Sequence, residues 1–105
     1  MIWYDHMLLG KTCRKRAGRL KDKISRRQVH PGVYLIVLPE HGSALLEVIP
    51  SMQLLQEAYP VGALAVVGMA GTRQEAFSLV EKIIGDMYRE RGDVNDIAAY
   101  LEQYR

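Results

Sequence analysis

The stretch that decides the fold is residues 63–92, ALAVVGMAGTRQEAFSLVEKIIGDMYRERG. It opens with a short run of small and β-branched apolar residues, 63–67, which is typical of a strand buried on both faces. Thr72 follows, with Glu75 three residues later, and this spacing predicts a capping box at the start of a helix. The apolar residues of that helix recur every three or four positions up to Gly92, a typical helix stop. A strand leading directly into an amphipathic helix indicates an α/β protein.

Two further strands and a helix are predicted on the N-terminal side of this unit. Residues 2–9 form an apolar and aromatic run that stops at Gly10, and residues 33–38, VYLIVL, form a second buried run. Between them, residues 11–27 carry apolar side chains at spacings of four, three and four, which predicts a helix with one inner face. That inner face consists of Cys13, Ala17, Leu20 and Ile24.

Two more helices complete the predicted order. Ser43 is a suitable N-cap for a helix over 43–59, which Pro50 must kink or divide. Asp93 can cap a last short helix. The order is therefore β-α-β-α-β-α-α in a single α/β domain over residues 1–105. We expect a small three-stranded, mostly parallel sheet with right-handed crossovers, similar to half of a Rossmann fold.

The formal net charge of +2 conceals a local asymmetry. Residues 11–27 hold nine basic residues and one acidic residue, whereas residues 28–105 hold five and ten. The single cysteine, Cys13, excludes an intramolecular disulfide and a four-cysteine zinc site. No apolar run approaches the roughly 18 residues of a membrane span, and the N-terminus lacks the features of a signal peptide. We therefore expect a cytoplasmic protein that does not contact membranes.

The motifs of the chain resemble those of a group of small bacterial proteins of unknown function, mostly from clostridia and their relatives. The matching features are WYDHM at 3–7, the basic stretch at 11–27, VYLIVL at 33–38, LLQEAY at 54–59 and VVGMAGTRQEA at 66–76. The resemblance covers nearly the whole chain and implies a stand-alone domain. It implies no activity, ligand or catalytic residue.

Two loops are predicted at the carboxyl ends of the strands, where open parallel sheets bind ligands. The loop 68–73, GMAGTR, could hold a phosphate or carboxylate at a helix N-terminus, or it is only a tight strand-to-helix turn. The loop 39–43 places a histidine beside a carboxylate, which suits acid–base chemistry or simply an exposed loop. The candidate ligand-binding residues are Gly68, Gly71, Thr72, Arg73, Glu40, His41 and Ser43.

The other chemically reactive side chains form no catalytic pattern. His6, His30 and His41 lack the paired spacing of a metal site. Asp5 and His6 are adjacent in a strand and would point to opposite faces. They could face a pocket or a partner chain, or Asp5 could cap a neighbouring helix or lie at a solvent-exposed sheet edge. Cys13 has basic neighbours that would activate a thiol, but its apolar position favours a core residue. We predict no catalytic residue, cofactor or metal, and leave open whether the protein is an enzyme.

Residues 11–27 are the strongest candidate for an interface. Clustered basic residues on an exposed face suit a phosphate backbone, although the segment lacks the aromatic residues that stack on single-stranded bases. The predicted basic face comprises Lys11, Arg14, Lys15, Arg16, Arg19, Lys23, Arg26 and Arg27. It could instead pair with acidic residues of the same fold or of a second copy, namely Glu75, Glu81, Asp86, Glu90, Asp93 and Asp96.

Two classes of function are consistent with these features. The first is a binding module, homodimeric because a small sheet leaves edges to cover, that presents the basic face to nucleic acid, an acidic protein or its dimer mate. The second is a phosphate- or carboxylate-binding protein, or an enzyme, that uses the loops 39–43 and 68–73.

Overall fold

A computed structural model describes residues 1–28, 31–38, 46–56 and 64–105, which form a four-stranded mixed sheet with helices against both faces. The strands are β1 (Ile2–Leu9), β2 (Tyr34–Leu38), β3 (Glu47–Pro50) and β4 (Ala65–Ala70). The α-helices are α1 (Ala17–Ser25), α2 (Arg73–Arg91) and α3 (Ile97–Leu101). Two short 3₁₀ helices span Ser51–Leu55 and Glu102–Tyr104.

The strand order is β1-β4-β2-β3, and only β1 and β4 are parallel. The α/β class is confirmed, but the expected three-stranded, mostly parallel, half-Rossmann-like sheet is wrong. The main cause is β3, which lies within the segment predicted as the helix 43–59. Val48 and Ile49 are β-branched, as strand residues often are, and they pair with β2. Pro50 lacks a backbone N–H, which is tolerated here because it ends an edge strand.

The helix α1 is shorter than predicted. The chain from Gly10 makes successive tight turns, in which Cys13 N–H donates to Gly10 O and Arg16 N–H donates to Cys13 O. Only Ala17–Ser25 is α-helical, so the prediction of a helix over 11–27 is confirmed for its second half alone. The four apolar residues still face inward, since Cys13, Leu20 and Ile24 are buried and Ala17 is half-buried.

The caps of α2 lie where the sequence predicts them, but the strand before α2 ends later than predicted. Thr72 caps α2, and Gly92 ends it in the left-handed region at φ 78°. Gly68, predicted in a loop, lies inside β4. A Cβ there would come within 2.9 Å of Leu8 O and of Ile36 Cδ1, so glycine lets the neighbouring strands close on β4. The last helix, α3, is capped by Asp96 and not by Asp93.

The sheet separates two clusters of buried side chains. On one face, α2 and α3 pack against residues that include Ile36 and Val67. On the other face, α1 packs against residues that include Leu35 and Val66. Since neighbouring residues of a strand point to opposite sides, α1 and α2 lie on opposite faces of the sheet.

The edge strand β1 is irregular over residues 4–7. Trp3 pairs with Val66 and Leu8 pairs with Gly68, so five steps along β1 match two along β4. Tyr4 is buried toward α3, whereas Asp5 and His6 are both exposed. The expectation that Asp5 and His6 point to opposite faces assumed a regular strand, which this bulged segment is not.

Candidate functional site

The strands β1 and β4 are parallel, so their carboxyl ends meet at one edge of the sheet. Leu9 pairs with Met69, and Gly10 N–H donates to Met69 O at 2.8 Å. This pairing sets the turn after β1 beside Gly71 and Thr72, which follow β4. The site at the strand ends is therefore built from the first and last strands of the chain.

A carboxylate from α2 holds these two turns together. Glu75 Oε1 accepts a hydrogen bond from Gly71 N–H at 3.2 Å and one from the Thr12 hydroxyl at 3.5 Å. Thr72 Oγ1 accepts from Glu75 N–H at 3.0 Å, which is the capping bond that the sequence predicts. The Glu75 carboxylate thus already accepts the hydrogen bond from Gly71 N–H, the backbone donor that precedes α2.

The glycines at this edge are needed for space. A Cβ on Gly10 would overlap the Glu75 carboxylate, and a Cβ on Gly71 would overlap the Thr12 hydroxyl. Neither glycine has positive φ, so close packing is what requires them. Gly71 therefore has a structural reason to be glycine without any ligand.

The predicted ligand-binding residues are only partly brought together. Gly71 and Thr72 are adjacent to Glu75, but Gly68 is buried in β4. The Arg73 guanidinium lies 5.4 Å from the centre of the Tyr34 ring, a cation–π contact that fixes it over β2. A phosphate at Gly71 would have to displace the Glu75 carboxylate from the Gly71 N–H.

The two predicted loops do not start from one sheet edge. Leu38, the last residue of β2, pairs with Ala65 at the start of β4, because β2 and β4 are antiparallel. The end of β2 is therefore at the edge opposite Gly71, and the expected meeting of the two strand ends is wrong. The candidate residues Glu40, His41 and Ser43 lie outside the described residues, as does His30. Among the residues that the structure describes, no three metal-ligating side chains are grouped.

Cys13 is fully buried on the inner side of the α1 layer. Burial raises the pKa of its thiol, and the nearby Thr12 hydroxyl and Arg16 guanidinium only partly oppose that effect. A raised pKa lowers the fraction of reactive thiolate at neutral pH. This environment is typical of a structural cysteine.

The basic side chains of residues 11–27 form a surface that we call the basic face, with the membership predicted above. All of its members are exposed except Lys23, which is half-buried, as is the neighbouring Lys21. Asp22 is paired with Arg26 at 3.4 Å, and both side chains are well exposed, so that pair is weak. Arg16 Nε donates to Thr12 O at 3.1 Å.

Several acidic residues of α2 and of the segment before α3 are engaged locally. Asp86 pairs with Arg89, and Asp96 accepts from Ala99 N–H. A hydrogen bond to the Glu90 carboxylate is the main cause that raises the pKa of Tyr100 to about 12. The described ion pairs are all between residues three or four apart, and none joins the basic face to α2 or α3. Pairing of these groups within one chain is therefore not observed among the described residues.

The C-terminal end of α1 is closed by an arginine in an unusual conformation. Arg27 N–H donates to Ile24 O and Gln28 N–H donates to Lys23 O, which together form a Schellman motif. Arg27 occupies its left-handed position with φ 57°, where glycine is the usual residue. An L side chain in this region costs about 1 kcal/mol relative to glycine.

Sequence reasoning missed Gly10, Thr12 and the special position of Arg27. Gly10 and Thr12 become neighbours of Gly71 only once β1 and β4 are known to be adjacent. The available signal was the general rule that parallel strands end at a common edge, applied to the first strand as well as to the later ones. Nothing in the sequence marks Arg27 as the left-handed residue that ends the helix, since Gly32 in the following turn could have taken that role.

No family model, curated protein or solved structure matches this chain. The resemblance to small clostridial proteins therefore stays a prediction. Within the described residues, no helix has the length and apolar character needed to cross a bilayer.

Proposed function

We propose that this protein is a nucleic-acid-binding module that contacts the phosphate backbone through the basic face. The observation that carries the proposal is the exposure of these basic side chains on one side of the sheet, with no acidic partner among the described residues except Asp22. Phosphate groups are the natural complement of such a surface.

The composition of the surface favours nucleic acid over an acidic protein. Protein interfaces have an apolar and aromatic centre, whereas interfaces with nucleic acid are polar and strongly positive. Leu20 and Ile24, the large apolar residues of the segment, are buried against the sheet. The exposed part of the segment therefore offers charge and hydrogen-bond donors without an apolar centre.

A small-anion site at Gly71 and Thr72 has less support. The Glu75 carboxylate already accepts the hydrogen bond from Gly71 N–H, and Arg73 lies over Tyr34. No described observation favours an enzyme, so we propose none.

The experiment is a binding titration with random-sequence DNA and RNA between about 50 and 200 mM salt. Binding should weaken steeply as salt rises, because each neutralised phosphate adds about 0.9 to the logarithmic salt slope. The double variant R14A/R19A should lower that slope by about two units, since Arg14 and Arg19 are exposed and have no described partner. Arg16 is left intact because it also holds the Thr12 carbonyl.

The matched control is K82A/R89A, which removes the same charge from α2 on the other face of the sheet. It should leave both affinity and slope unchanged. Absence of binding at low salt would refute the proposal. Equal or tighter binding of polyglutamate would instead identify an acidic protein as the partner.

Two further expectations belong to this proposal, namely a cytoplasmic location and a homodimer. The two sheet edges are β1, whose register is broken, and β3, which is four residues long. Light scattering at micromolar concentration measures the oligomeric state, and the mass of a monomer would contradict the homodimer.

A further inference from the structure

Six of the nine basic residues in 11–27 form two groups, one at each end of α1, whereas Arg19, Lys21 and Lys23 lie within the helix. Lys11, Arg14, Lys15 and Arg16 precede the helix and are exposed, and we call them the leading group. Arg26 and Arg27 follow the helix, are also exposed, and form the trailing group. The nine residues of α1 span about 13 Å, so Arg16 and Arg26, the members that flank the helix, are separated by roughly that distance.

The trailing group contains Arg27, whose backbone is in the left-handed region just after α1. Arg27 adopts φ 57° at a position where glycine would close the helix with less strain. Its side chain makes no ion pair with a described residue, so the packing of the described chain gives no reason for an arginine. A strained residue without a structural role is a reason to seek a functional one.

The surroundings of α1 argue against single-stranded nucleic acid. Proteins bind single strands by stacking bases on aromatic side chains. On the face of the sheet that α1 covers, Trp3 is only half-buried, whereas the exposed aromatic residues Phe77 and Tyr88 belong to α2, on the opposite face. Bases cannot reach Phe77 and Tyr88 while phosphates contact the basic face.

We propose that α1 lies in the major groove of double-stranded DNA, with the leading group on one phosphate strand and the trailing group on the other. This inference rests on the proposed function and adds the class of nucleic acid. The groove of B-form DNA is about 12 Å wide and admits a helix, and this width matches the separation of Arg16 and Arg26. The major groove of duplex RNA is deep and too narrow for side chains to enter.

Between the groups, the exposed residues of α1 are Gly18, Arg19, Asp22 and Ser25. Gly18 is exposed, and a Cβ at this position would have no heavy atom within 4 Å. Position 18 is therefore suited to a test of groove entry, since it is exposed and an added Cβ there meets open space.

The first test compares the unaltered protein with R27G. Glycine relieves the left-handed strain, so R27G should unfold at a temperature a few degrees higher. The same variant should lose one phosphate contact, which lowers the logarithmic salt slope for duplex DNA by about one unit. Higher stability together with weaker binding separates a contact residue from a structural one. An unchanged slope would overturn the role of Arg27.

The second test compares probes and position 18. Random-sequence duplex DNA should bind at least tenfold more tightly than single-stranded DNA or duplex RNA of the same length. Gly18→Met should weaken duplex DNA binding at least tenfold, whereas Gly18→Ala should change it little. Equal affinity for all probes, or full affinity of Gly18→Met, would refute docking in the groove while leaving phosphate binding intact. If none of these nucleic acids binds, the proposed function itself fails.

Discussion

Gly71 and Thr12 pack closely against each other where the first and last strands end. A Cβ on Gly71 would overlap the Thr12 hydroxyl, so the turn after β1 would have to move. We expect Gly71→Ala to lower the free energy of unfolding by about 1–3 kcal/mol, the usual range for overpacking. Urea denaturation measures this change.

A double-mutant cycle tests the cause of that loss. Thr12→Ala removes the hydroxyl, so the loss in the double variant should be smaller than the sum of the two single losses. Gly85→Ala is the control, because a Cβ there would lie 3.5 Å from the Arg89 side chain, an ordinary contact. Strict additivity at Gly71 and Thr12 would contradict the proposed contact.

Tyr100 gives the fold a pH dependence at alkaline pH. The Glu90 carboxylate and burial raise the pKa of its hydroxyl from 10 to about 12 in the folded protein. The folded state therefore holds this proton more tightly than the unfolded state. The resulting stabilisation is complete below pH 10 and is lost as the pH rises toward 12.

The measurement compares unfolding of the unaltered protein and Tyr100→Phe as the pH rises above 9. The unaltered protein should lose stability more steeply, because only it carries the Tyr100 proton. Parallel curves for the two proteins would show that Tyr100 does not contribute.

The sequence could identify those residues whose contacts depend on a short spacing along the chain. The cap formed by Thr72 and Glu75 depends on positions three apart, and the structure has that bond. The hydroxyl of Thr12 meets the same carboxylate from 63 residues away. That contact depends on strand pairing, which no local pattern specifies.

At the scale of single elements, α1 carries an avoidable weakness. Gly18 lies in the second residue of the helix, is exposed, and has a negative φ. Alanine there should raise the free energy of unfolding by about 0.5–1 kcal/mol, because it restricts the unfolded chain and favours the helix. Thermal or urea unfolding checks this expectation, and a loss of stability would mean that the helix needs a glycine for packing.

The β3 segment shows why an element can be assigned to the wrong class. Its apolar residues Val48 and Ile49, with Met52 after them, fit both a helical and an extended spacing. Pairing with β2 decides the outcome. Leu35 and Ile36 are buried, so the backbone of β2 needs hydrogen-bond partners on the side away from β4, and β3 supplies them. Tertiary contacts of this kind override local propensity.

At the scale of the whole molecule, strand order was the feature that the sequence could not supply. Three apolar runs predict an α/β sheet, but they do not specify whether β2 runs parallel or antiparallel to its neighbours. The described strands show that β2 runs antiparallel to β4. Because of that direction, β2 ends at the sheet edge opposite Gly71, and the residues found beside the start of α2 come from the turn after β1, namely Gly10 and Thr12.

The central position of β4 predicts a gradient of local stability. Strand β4 has neighbours on both sides and all of its residues are buried, whereas β3 is a short edge strand. Amide hydrogen exchange should therefore be slowest at Val66 and Val67 and faster throughout β3. Faster exchange in β4 than in β3 would contradict the strand order.

The basic residues around α1 concentrate positive charge on one side of the sheet, whereas α2 carries four basic and four acidic residues. A formal net charge of +2 suggests weak adsorption to negatively charged materials, yet residues 11–27 alone carry nine basic residues and one acidic residue. On an anionic chip or resin, the protein will be retained more strongly than its net charge implies. It will also settle in one orientation, with α1 against the support and α2 and α3 facing the liquid.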